Sequence, residues 1–209
     1  MALVEHGQAG LIGSSHGHDS HGHGLHISTE QKNYMLKFGW WAYIASEIML
    51  FASLIGVFLL AKRLHPEAGN ELNVPLTTLN TFLLLVSSWT MVRALASLHA
   101  NDIKGLQREL FLTMALGATF IGVMMFEYVE LSHHGVTLTS DIYGSAFYVM
   151  TGFHGAHVAI GVLWLAWAWY KALGGYFTPE KYIGIEVLGL YWHFVDVVWI
   201  FIFPLAYLL

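Results

Sequence analysis

The sequence predicts an all-α integral membrane bundle of five transmembrane helices, and three observations carry that reading. The chain is 56% hydrophobic and only 11% charged, with a mean hydropathy of +0.56, far too apolar for a soluble domain. Five apolar segments each reach the roughly 20 residues a helix needs to cross the hydrocarbon. None shows the period-two alternation of a barrel strand, so the backbone groups they carry into lipid must be satisfied inside helices.

The first 35 residues hold six of the thirteen histidines, with HGHDSHGHGLH at His16–His26. Glycine and serine between the histidines predict a disordered, solvated leader that binds metal only weakly. Residues 36–209 form the predicted membrane domain. Its spans run over Lys37–Ala61, Pro75–Leu98, Glu109–Leu131, Ile142–Leu173 and Ile183–Leu209. Pro75 sits in the first turn of the second helix, Gly174 and Gly175 follow the fourth, and HPEAGNELN links the first two, all ordinary boundary signals. Small residues four apart, Ala52 and Gly56, Ala118 and Gly122, Gly152 and Ala156, Gly155 and Ala159, predict close helix contacts. The aromatic residues of the first, fourth and fifth spans read as interfacial belt and packing.

Charge sets the expected direction. Lys32, Lys37, Arg93, Lys104, Arg108, Lys171 and Lys181 fall on one side of a five-span chain, and only Lys62 and Arg63 on the other. The positive-inside rule then puts the N-terminus in the cytoplasm and the C-terminus outside. The absence of cysteine excludes disulfides, thiolate metal sites and iron–sulfur ligation. A formal charge of −5, with nine scattered basic residues, argues against a nucleic-acid partner.

Ionisable residues at membrane depth are costly and mark function by default. Glu47, in ASEIMLF, lies mid-way along the first span and requires either its neutral acid form or a polar partner. It reads equally as a tie between helices or as a group that handles protons or a lipid headgroup. His154 and His157 are three apart on the fourth helix, and His193 and Asp196 repeat that spacing on the fifth, with Glu186 two turns earlier. Such spacing suits metal ligands, but no Glu-x-x-His motif recurs on paired helices. An interhelical hydrogen-bonding network of Glu127, His154, His157, Glu186, His193 and Asp196 is the expectation, with no metal. Glu127 and Glu130 at the outer end of the third helix can also be solvated at the interface. Arg93 can snorkel to the headgroups and attract an anionic phosphate. No residue is assigned a catalytic role.

Four motifs in order, ASEIMLF, GVMMFEYVEL, YGSAFYVMTGFHGAHVAIG and YWHFVDVVW, resemble subunit III of the haem-copper respiratory oxidases, in its short five-helix bacterial form. The likeness runs from about Phe38 to Leu209. It implies that Glu47 is the family's membrane-embedded carboxylate. It also implies an accessory subunit of a proton-pumping oxidase of the bacterial cytoplasmic membrane that reduces oxygen to water. The resemblance places haems and copper in partner subunits, and phospholipid on this chain. Direct contact with subunit I follows, together with subunit II and further subunits such as subunit IV or supercomplex partners. The long form of the family has two further N-terminal helices, which with the other five enclose a lipid cleft. The last span tilts the electron donor toward cytochrome c over quinol. A small proton- or metal-coupled transporter is the competing class, against which stand five unbroken spans without internal symmetry.

Overall fold

A computed structural model describes residues 28–65 and 72–209, so the His-rich tract at 16–26 lies outside the described residues. Five long helices follow one another: α1 (Thr29–Leu64), α2 (Val74–His99), α3 (Ile103–His133), α4 (Ile142–Leu173) and α5 (Ile183–Phe203). All five are long and apolar enough to cross a membrane.

The helices begin where polar side chains cap them. Ser28 accepts from the Gln31 backbone N–H while the Gln31 side chain accepts from the Ser28 N–H, a reciprocal capping box. That box starts α1 at Thr29, well before the predicted Lys37, because capping, and not hydropathy, sets a helix end. At 1.5 Å per residue its 36 residues extend about 54 Å, beyond the hydrocarbon core. Asn73, Asp102 and Asp141 cap α2, α3 and α4 through their side-chain oxygens. Asp102 likewise starts α3 before the predicted Glu109. The last span is not uniform: from Pro204, which lacks an N–H, the chain widens into a π-helical turn over Pro204–Leu208.

Helix α5 is the axis of the bundle. It packs against α1, α2 and α4, while α3 fills the far side between α2 and α4. Trp192 and Trp199 are its largest fully buried side chains, so Trp192 belongs to the core and not to an interfacial belt. The Trp192 ring lies flat in a slot between Gly117 of α3 and Gly161 of α4. A Cβ at Gly117 would stand 2.5 Å from the ring, and one at Gly161 2.7 Å. Glycine is required at both positions. Of the glycines in the four small-residue pairs, Gly155 meets a neighbouring helix closely, at Met124. Ala52, Gly56, Ala118 and Gly122 face outward. Spacing of four marks a helix face without saying which way it points.

One end of the bundle, here the proximal end, gathers the starts of α1, α3 and α5 with the ends of α2 and α4. Lys37 meets Glu186, His99 packs edge-on to Tyr182, and Gln107 donates to the Ala172 carbonyl. All seven cations that set the charge asymmetry belong to helix ends or loops joined there.

Candidate functional site

The polar residues of the interior fall into three layers along the bundle. In the proximal layer, Lys37 Nζ stands 2.7 Å from Glu186 Oε1 and lies over the Tyr182 ring, tying α1 to α5. Glu186 therefore looks to α1 and not to His193 on its own helix. Nearby, Glu109 is 1% exposed, and its Oε1 receives Arg93 and Arg108, each at 3.0 Å. Arg93, 44% exposed on its side chain, also covers the face of Trp89. It thus combines a buried acid partner with a guanidinium open to the headgroup region.

In the middle layer, the carbonyl of Phe153 accepts from His157 Nδ1 at 2.7 Å. A carbonyl can only accept, so Nδ1 carries hydrogen. His157 Nε2 faces Glu47 Oε2 at 3.3 Å, just beyond the usual hydrogen-bonding range. An ionised acid is costly at this depth, and the imidazole is the polar group set against it. Tyr43 stands beside Glu47, and the Tyr191 hydroxyl donates to the His157 carbonyl. Helices α1, α4 and α5 thus meet at these side chains.

His154 is fully buried, stacks on Trp199 at 4.7 Å, and sets Nε2 3.3 Å from the Val195 carbonyl. It points to α5 while His157 points to α1, so the i, i+3 pair is split between two partners and does not converge on one ion. On α5, His193 Nδ1 lies 2.7 Å from Ser88 Oγ of α2. Asp196 flanks the same serine. Among the described residues no three His, Asp or Glu side chains gather as a metal shell.

In the distal layer, Glu127 is 3% exposed and not solvated at the interface. Its Oε1 accepts from the Thr77 hydroxyl at 2.8 Å and its Oε2 from the Tyr207 hydroxyl at 3.0 Å. That acid clasps α2 and the π-helical C-terminal turn to α3.

A profile of the cytochrome c oxidase subunit III family matches residues 17–209. The chain belongs to that family. The cytochrome c oxidase subunit 3 of Bacillus subtilis is 38% identical over 191 residues, covering 88% of this chain and 89% of that protein. That of Thermostichus vulcanus is 36% identical over 171 residues, covering 80% and 84%. The quinol oxidase subunit 3 of Bacillus subtilis is 37% identical over 176 residues, covering 82% and 85%. As a subunit III family member the chain is an accessory, non-catalytic subunit of a haem-copper oxidase, all-helical and embedded in a membrane.

Several residues of these layers carry no sequence signal of their own. Thr77, Ser88 and Tyr207 become partners only once α2, α3 and α5 are side by side. Glu109 was detectable: an acid two turns into an apolar helix, next to Arg108, is a candidate for burial with its partner.

Proposed function

We propose that this subunit flanks subunit I of a terminal oxidase in the bacterial cytoplasmic membrane, stabilises it, holds phospholipid and supports proton uptake at its cytoplasmic entrance. Haems and copper belong to the partner subunits, subunit II among them. The oxidase reduces oxygen to water with cytochrome c as donor. The relatives include a quinol oxidase subunit at similar identity, so a copper-binding motif in the accompanying subunit II is the feature that distinguishes the two donors.

The observation that supports the proton-handling part is the Glu47–His157 pair, an acid and an imidazole 3.3 Å apart at the junction of three helices. Arg93 supplies the headgroup contact, since a guanidinium over an indole face at the helix end suits an anionic phosphate. The proximal end faces the cytoplasm by its excess of cations, and the leader of residues 1–35 lies on that side. Protease added outside oriented vesicles then leaves the His-rich leader intact, and its digestion from that side contradicts the orientation.

Glu47→Gln in the assembled oxidase tests the central step. The Gln amide can donate to His157 Nε2 as the neutral acid can, so assembly is preserved while the exchangeable proton is lost. Sustained oxygen consumption and proton uptake then fall together. Wild-type values of both contradict the proton role and leave Glu47 as a tie between helices.

A further inference from the structure

Between α1 and α5 runs a groove of about 600 Å³, within the roughly 300–1,000 Å³ of small-molecule sites. Its walls are apolar and partly aromatic, including Trp41, Phe51, Phe194 and Phe201, and His193 is the ionisable side chain among them. His193 Nδ1 is engaged by Ser88, and among the described residues Nε2 makes no hydrogen bond. Behind the serine stands Asp196, 3% exposed and without an ion-pair partner, its carboxyl beside Ser88. A carboxylate at this depth with no cation beside it is costly, so the neutral acid is the form the site accommodates. The neutral acid can donate to Ser88 Oγ, whose hydroxyl then donates to His193 Nδ1. That polarity puts the ring hydrogen on Nε2, a hydrogen-bond donor on an otherwise apolar wall.

The geometry points to the α1–α5 groove as a binding site for an uncharged lipophilic carbonyl compound of the isoprenoid quinone class, its ring among the aromatic walls and one carbonyl oxygen on His193 Nε2. Depth distinguishes this occupant from a phospholipid. His193 lies seven residues beyond Glu186 on α5, about 10 Å deeper at 1.5 Å per residue, and Glu186 meets Lys37 at the proximal end. Phospholipid ester carbonyls stay at the boundary of the hydrocarbon, whereas an uncharged ring with an apolar tail enters it. Phe51 of the groove wall packs edge-on to His157, but neither Glu47 nor His157 lines the groove, so Ile48→Trp and His193→Phe test it without altering that pair.

Photolabelling of the intact oxidase with an azido-ubiquinone carrying two isoprene units, followed by peptide mapping, tests the site. Label is expected in the segments 41–55 and 190–205 of this chain. It should fall at least tenfold in Ile48→Trp, which fills the groove from an exposed position, and in His193→Phe, which keeps the ring and removes the donor. An excess of dioleoylphosphatidylglycerol should not displace it. The haem-to-chain ratio reports assembly separately, and if His193→Phe does not assemble, Ile48→Trp decides. No label in those segments, wild-type labelling in either assembled variant, or equal displacement by phosphatidylglycerol overturns the proposal.

Discussion

Glu127 and Asp196 are buried to the same degree, each 3% exposed, yet their surroundings differ completely. Glu127 has one hydroxyl on each oxygen, from α2 and from the C-terminal turn. Asp196 has Ser88 alone beside it, and shares that serine with a histidine that opens onto a groove. Equal burial therefore conceals two kinds of acid. One is consumed in holding helices together, and the other keeps its hydrogen-bonding capacity for its neighbours.

That contrast breaks most readily at the clasp. Glu127→Ala strands the Tyr207 hydroxyl, while Thr77 keeps the Asn73 carbonyl as its acceptor, so the loss is about 1–3 kcal/mol. Thermal unfolding of the purified oxidase, followed through release of this subunit, should show it. Proteolysis of the C-terminal turn should rise in parallel. Stability unchanged by the substitution means that the clasp carries no load.

Much of this was legible in sequence because lipid simplifies the problem. Hydropathy located five helices, since nothing else satisfies a backbone in hydrocarbon. Ordered motifs identified the family. Glu47, His157, His193 and Asp196 stood out because an ionisable side chain at such depth needs a reason. Partners were less legible than candidates. Nothing about Glu47 predicts His157, because α1 and α4 are far apart in sequence and become neighbours only through packing around α5. His154 and His157 share a spacing yet diverge, since three residues turn a helix by about 300° at 3.6 residues per turn, enough to reach different neighbours. The start of α1 at Thr29 was written in the Ser28–Gln31 box, a polar signal that a hydropathy reading passes over.

A smaller effect separates the proximal acid from the distal one. Glu109 receives two arginines on one oxygen, so Arg93→Ala leaves Arg108 in place. With Arg93 44% exposed, the loss should be about 0.2–1 kcal/mol and should shrink further at high salt. Denaturation at two ionic strengths measures it. A loss as large as that of Glu127→Ala would show that Glu109 depends on Arg93 alone.

The smallest effect belongs to Asp196→Asn. An amide can donate to Ser88 as the neutral acid does, so unfolding should stay within about 0.5 kcal/mol of wild type. A loss of several kcal/mol in the same unfolding assay would make Asp196 a second clasp and erase the distinction drawn between the two acids.

The partnership with the redox subunits is tested most directly by gentle solubilisation of membranes carrying this chain with an affinity tag, followed by a visible spectrum and a subunit inventory of the purified material. The chain should emerge with haem absorption, copper and the subunits that hold them, in constant proportion. A colourless chain recovered alone, intact and active in moving protons or metal ions across reconstituted vesicles, would contradict the account.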